Sequence, residues 1–100
     1  MTEQVLLNSG YKQYDVPVYK QCDRFYQKKL NNKEYFNVYY YDTFKENSAL
    51  DYKFEYEYVN ERDNYWYSTY IWALDKNCLY TIEEIESILI GSDNVEKNEC

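Results

Sequence analysis

A chain of 100 residues, 45% of them hydrophobic, is long enough for one hydrophobic core and too short for two. Its formal net charge of −7 and pI near 4.5 count against duplex nucleic-acid binding, which gains affinity by neutralising phosphates with Lys and Arg. The same sign favours a basic partner, or one that normally holds nucleic acid. The apolar content is aromatic in kind, with 15 Tyr, 4 Phe and 2 Trp. Such broad side chains pack best on a pleated sheet. Two Gly and one Pro leave the turns to Asn and Asp. Cys22, Cys78 and Cys100 are odd in number and show no C-x-x-C spacing. No signal-peptide pattern precedes them, so free thiols in a reducing cytoplasm are expected. Nothing approaches the roughly 18 apolar residues of a membrane span.

Residues 1–10 carry too little pattern to assign. Tyr11 to Tyr19 suits a strand, but Pro17 cannot donate to a ladder and must lie on an edge or outside the sheet. Cys22 to Leu30 fits either period: Cys22, Phe25, Tyr26 and Leu30 fall at helical spacing, while the hairpin signal that follows favours a strand. Asn31-Asn32-Lys33 is that signal, since Asn tolerates the left-handed backbone of a tight turn. Glu34 to Tyr41 then sets Phe36, Val38 and Tyr40 on one face and Tyr35, Tyr39 and Tyr41 on the other. Asp42 to Asp51 reads as a longer polar loop. Tyr52 to Tyr58 alternates aromatics with charges, the period of a sheet with one wet face. Asn60 to Asn64 joins it to Tyr65–Leu74, which is apolar on nearly both faces and suits a central strand.

Thr81-Ile82-Glu83-Glu84 is a capping box, with Tyr80 and Ile85 placed as a hydrophobic staple. Ile82, Ile85 and Leu89 share a face, and Gly91 stops the helix. The expected architecture is α+β, an antiparallel meander of four to five strands with one C-terminal helix packed on it. Residues 1–91 form the single domain, and 92–100 a flexible acidic tail.

The chain has no histidine, which removes the commonest general base and metal ligand. With Gly10 and Gly91 alone, no glycine-rich phosphate loop can form. Cys22 and Cys78 lack a flank that would lower a thiol pKa and read as packed residues. Glu55 and Glu57, about 7 Å apart along a strand, could do acid–base work or hold Mg²⁺, but any solvated strand face shows the same alternation. Neither an enzyme nor a cofactor is expected.

A helix of about nine residues is roughly 13 Å long and cannot cover both sheet faces. The aromatics of the second face should stay partly exposed, as a partner surface or a homodimer seam. Charge is segregated too. Arg24, Lys28, Lys29 and Lys33 against Asp23 make the first hairpin net +3. Asp51, Glu55, Glu57, Glu61 and Asp63 against Lys53 and Arg62 make residues 51–64 net −3. Six acids against Lys97 make residues 81–100 net −5. Acids along a strand and a neighbouring helix can imitate a line of phosphates, with aromatics beside them filling base pockets. The partner-binding residues expected on this reading are Glu55, Glu57, Tyr39, Tyr41, Tyr65, Tyr67, Glu83 and Glu86.

No motif names a family. In overall profile the chain resembles the small acidic inhibitors encoded by phages and mobile elements, including anti-CRISPR proteins and nucleic-acid mimics. The features that carry this are the length, the Asn/Lys/Tyr-rich usage and the acidic runs Asp51–Asp63 and Glu83–Glu99. The resemblance implies a cytoplasmic inhibitor in a bacterial host, binding a nuclease or CRISPR effector and occluding its nucleic-acid channel. Neither direct nucleic-acid binding nor membrane contact is expected. Two alternatives stand beside it. One is a single-strand nucleic-acid binder stacking bases on Tyr39, Tyr41, Tyr65 and Tyr67, with the Arg24–Lys33 hairpin on phosphates. The other is a toxin-neutralising immunity protein.

Overall fold

The computed structural model describes residues 3–41, 52–73, 80–91 and 96–98. In it, the alternating segments form one six-stranded sheet in sequential order: β1 (Lys12–Tyr14), β2 (Arg24–Asn31), β3 (Glu34–Tyr40), β4 (Tyr52–Val59), β5 (Trp66–Ala73) and β6 (Glu96–Asn98). The first five pair antiparallel, each with its neighbour in sequence, and β6 runs parallel to β5 at Tyr70–Trp72. Helix α2 (Ile82–Ile90) packs against β4 and β5, giving an antiparallel meander of five strands, within the four to five expected, with a C-terminal helix packed on it. The 22–30 segment resolves as strand from Arg24 onward. The expected loop at 42–51, Leu74, Cys78 and Cys100 lie outside the described residues, as does the expected tail apart from 96–98.

Asn and Asp make both hairpin ends that lie on one side of the sheet. The Asn31 side chain accepts the Lys33 N–H at 2.8 Å, and a one-residue register shift between Lys29 and Asn31 absorbs the odd residue. The left-handed backbone expected there falls instead in the β4–β5 loop, at Asn64 with φ 60°. In that loop Asn60 Oδ1 accepts the Arg62 N–H and Asp63 Oδ1 accepts the Tyr65 N–H. Pro17 lies outside the sheet, beyond the short edge strand β1.

The pairing register sorts the side chains. Tyr26, Val38, Phe54 and Ile71 stand in one cross-strand row, with Phe36 and Tyr56 in the next. These bury against Ile82, Ile85 and Leu89 of α2. Thr81 caps α2 as a full capping box, and Thr69 Oγ1 donates to the Leu89 carbonyl at 3.0 Å, satisfying one of the helix's last acceptors.

A short helix, α1 (Glu3–Asn8), completes the core within residues 1–10, whose pattern is too weak to assign. It ends in a Schellman motif: the Tyr11 N–H reaches the Leu6 carbonyl at 3.2 Å and the Gly10 N–H reaches that of Leu7 at 3.2 Å. Gly10 holds φ +95°, open to glycine at no steric cost. The motif's apolar pair, Leu6 and Tyr11, enters the core. Lys28 of β2 fastens this corner to α2. Its ammonium lies 2.5 Å from Glu86 Oε2, donates to the Ser9 carbonyl at 3.1 Å, and stands 4.9 Å from the Tyr11 ring centroid. Tyr11 donates its hydroxyl to the same Glu86 oxygen at 2.8 Å. Glu3 anchors the other end of α1 by accepting from Arg24 and Tyr26.

The expectation of a central strand over 65–74, covered above and below, holds only for its second half. Thr69 and Ile71 are buried, whereas residues 65–68 are exposed. The three-residue β6 reaches only Tyr70–Trp72, so among the described residues the leading half of β5 has β4 as its sole neighbour.

Candidate functional site

The eight residues singled out by charge and tyrosine content do not form one surface. Residues i and i+2 of a strand share a face, and the register places Tyr39, Glu55 and Glu57 on the face turned away from α2. Tyr41 lies on that side as well, its ring 5.4 Å from Trp72. Tyr67 pairs with Tyr58 on the α2 side, and Glu83 and Glu86 lie on α2 itself. The acidic strand and the acidic helix therefore stand on opposite sides of the sheet, and no continuous line of acids joins them among the described residues. The four tyrosines expected as a stacking platform are divided by the sheet in the same way.

The face away from α2 is less open than the alternation suggests. Glu55 is only 9% exposed, and the Tyr39 ring beside it is buried. Asn37 Nδ2 donates to Glu55 at 2.9 Å and to Glu57 at 3.3 Å, Tyr39 donates its hydroxyl to Glu55 at 3.0 Å, and Gln27 donates to Asn37 at 2.9 Å. One amide thus sits between the two carboxylates where a cation would have to sit, and the carboxylate charge serves the fold. Burial and the Glu55 charge push the Tyr39 hydroxyl well above its ordinary range. Glu86 is likewise committed inward, to Lys28 and Tyr11. Glu83 is exposed and lines a shallow cleft of about 320 Å³ with Val5, Asn8, Ser9, Tyr80, Thr81 and Ile82. Among the described residues, no three His, Cys, Asp or Glu side chains come together as a metal would require.

The basic hairpin is also partly committed. Lys28 pairs with Glu86 and Arg24 with Glu3 at 3.2 Å, leaving Lys29 and Lys33 exposed at the hairpin tip.

Among the described residues, exposed apolar side chains also gather at both ends of the sheet, besides Val5, Leu7, Tyr14 and Ile90. At one end is the turn Pro17–Lys20, closed by the Lys20 N–H on the Pro17 carbonyl at 2.9 Å. Its apex, Val18 and Tyr19, is fully exposed at Val18 and 79% exposed at Tyr19. Both feet of the turn are rooted in a second small core of Cys22, Phe25 and Tyr39, with Val16 and Tyr41 packed against it. The Phe25 and Tyr39 rings stack at 5.2 Å. The Lys20 ammonium lies 5.0 Å from the Tyr39 centroid and 5.7 Å from that of Tyr19, gripping the turn on its inner side. Burial raises the Cys22 thiol above its ordinary pKa, so it packs there as a protonated small hydrophobe.

At the opposite end of the sheet Tyr65, Trp66, Tyr67 and Leu30 are exposed as well, with Trp66 on the face away from α2 and Tyr67 on the α2 side. Trp66 lies 5.8 Å from the Tyr35 ring, and Tyr67 lies 6.1 Å from that of Tyr58. The Tyr67 hydroxyl donates to Asp63, which holds the Asp63 carboxyl below its usual range. The alternation singled out Tyr65 and Tyr67 but not Trp66, Leu30, Val18 or Tyr19. Pro17 was the available signal for the turn: a residue that leaves the ladder carries the next two out with it.

No protein-family model, curated protein or solved structure matches this chain. No helix among the described residues is long and apolar enough to cross a membrane.

Proposed function

We propose that this chain works by binding another protein, as an inhibitor or regulator, and that the Val18–Tyr19 turn leads the contact. The observation that carries this is an apolar apex presented on a rigid base. Pro17, the Lys20 hydrogen bond, the cation–π grip and the Cys22/Phe25/Tyr39 cluster all fix the turn before any partner arrives. Ordering costs are therefore met during folding, which is how a small contact gains affinity. Tyrosine is a favoured anchor because it buries a large ring with few rotors and keeps a polar tip.

The charge of −7 argues for a partner with a basic surface, reached by electrostatic steering. Proteins that handle nucleic acid carry such surfaces, and the profile resemblance to phage-encoded inhibitors points the same way. The proposed partner is accordingly a nuclease or CRISPR effector. A contiguous strand-and-helix mimic of phosphates is not part of the proposal, because those acids lie on opposite faces. The single-strand-binding alternative loses two of its parts: Tyr39 is buried and Lys28 is paired.

The test is capture by the tagged chain against a panel of purified nucleases and CRISPR effectors, with and without excess nucleic acid. A bound effector whose affinity falls about 30-fold in Tyr19→Ser, as expected for a hot-spot aromatic, supports the proposal. Displacement by nucleic acid would place the contact at the effector's channel, and its absence would place it on another surface. Capture indifferent to Tyr19→Ser and Val18→Ser, or recovery of nucleic acid alone, would refute it.

A further inference from the structure

The sheet face turned away from α2 carries a row of side chains with open hydrogen-bonding groups. The register sets Lys29, Tyr35, Glu57 and Ser68 side by side across β2, β3, β4 and β5. Three strand spacings make this row about 14 Å long. Trp66 stands two residues before Ser68 on β5 and so shares its face. Its ring centroid lies 5.8 Å from that of Tyr35, with the two planes 35° apart. The indole is 48% exposed, Lys29 and Ser68 are exposed, and Tyr35 and Glu57 are half-buried.

We infer that this row is a carbohydrate-binding platform, its ligand a neutral oligosaccharide of pyranose rings with equatorial hydroxyls. Such a ring has an apolar face of axial C–H groups and a rim of hydroxyls. It needs an aromatic surface beneath it and fixed donors and acceptors around it. The rings of Trp66 and Tyr35 supply the first. Among the described residues, the Tyr35 and Ser68 hydroxyls, the Trp66 indole N–H and Glu57 Oε2 have no hydrogen-bond partner, and they supply the second. Asn37 holds the other Glu57 oxygen at 3.3 Å and is itself tied to Glu55 and Gln27. The carboxylate is thus oriented before a ligand arrives.

Charge decides against the other polymers that stack on aromatic rings. A single-stranded nucleic acid brings a phosphate with every base and binds along a basic groove. Here Glu57 stands inside the row and Lys29 is the one cation in it. Lys53, further along β4 on the same face, sits over the Tyr70 ring at 4.4 Å. A carboxylate in that place repels phosphate and accepts readily from sugar hydroxyls. The row lies at the other end of the sheet from the Val18–Tyr19 turn, so the inference is independent of the function proposed above.

Titration with cellotetraose and with chitotetraose, followed by the Glu57 and Ser68 amide signals in heteronuclear NMR spectra, tests it. A site with this few contacts should bind at least one of them with a Kd between about 0.1 mM and about 5 mM. Trp66→Ala should weaken binding at least about tenfold, and Trp66→Phe, which keeps a flat ring, by about threefold or less. Glu57→Gln, which removes no ring and replaces a charged acceptor by a neutral one, should weaken it about three- to tenfold. Circular dichroism checks that each variant folds. Absence of a saturable shift with either sugar up to about 20 mM would overturn the inference. So would binding unchanged in Trp66→Ala, or a short oligothymidylate that binds more tightly than both sugars, which would make the row a base-stacking surface.

Discussion

Lys28→Met should be among the most damaging single substitutions outside the apolar core, though it removes no large ring. The Lys28 and Glu86 side chains are only 21% and 14% exposed, and their charged atoms are 2.5 Å apart. Removing the ammonium strands the Glu86 carboxylate with Tyr11 as its one donor among the described residues, and frees the Ser9 carbonyl at the end of α1. Breaking a buried pair from one side costs about 3–5 kcal/mol. The residual exposure here lowers that to about 2–3 kcal/mol. Glu86→Leu should cost less, about 1–2 kcal/mol, because Lys28 keeps the Ser9 carbonyl and the faces of Tyr11 and Phe36. The double variant, with neither charge left buried, should be no worse than Lys28→Met alone, giving a coupling energy of about 1–2 kcal/mol. Urea denaturation followed by far-ultraviolet circular dichroism, at constant slope, measures all three. Additive losses within about 0.5 kcal/mol would show that the pair is solvated and that something else fastens α1 to α2.

Gly10→Ala should cost about 1–2 kcal/mol, since φ +95° strains any L side chain and the new Cβ would meet Lys28 Cδ at 3.2 Å. The same denaturation assay checks this, and Gly91→Ala is its control, because Gly91 sits in the right-handed region at φ −82° and should lose far less. Alkaline pH should also unfold the chain. Burial and the neighbouring Glu3 push Tyr26 up to about 12, and Tyr11, Tyr39 and Tyr56 are raised by burial and by their carboxylate partners. A phenol raised in the folded state contributes stability in full below its unfolded value of about 10, and loses it as pH rises through the folded value. Stability should therefore fall from about pH 10 to about pH 12 and beyond. Phenolate absorbance rising in step with loss of ellipticity would verify the linkage, and a chain at full stability at about pH 12 would contradict it.

The parts of the fold that were legible in the sequence are those governed by local chemistry. Aromatics at even positions from Tyr52 to Tyr58 declare a strand with one apolar face, and Thr81 with Glu84 declares a helix start. Alternation says which residues share a face; it does not say how dry that face becomes. Glu55 was legible as a partner of Glu57, yet its burial depends on Asn37 and Tyr39 of the neighbouring strand, a matter of register. Helix α1 was illegible for a related reason. Six residues cannot nucleate a helix alone, and this one exists because Glu3, Leu6 and the Ser9 carbonyl each meet a distant partner. The candidate site was read least well, because the sequence pattern marked acids and tyrosines without separating those that bond inward from those that face water.

The meander has a consequence for the order in which the chain can assemble. Every pairing from β1 to β5 joins strands that are consecutive in sequence, so each hairpin can zip outward from its own turn while synthesis continues. The face carrying Val38, Phe54 and Ile71 is nonetheless not closed until Ile82, Ile85 and Leu89 arrive. A nascent chain still held by the ribosome before residue 82 is thus a paired but uncovered sheet. Emergence of the last helix from the exit tunnel, rather than strand pairing, is the event that ends its exposure to chaperones and to aggregation.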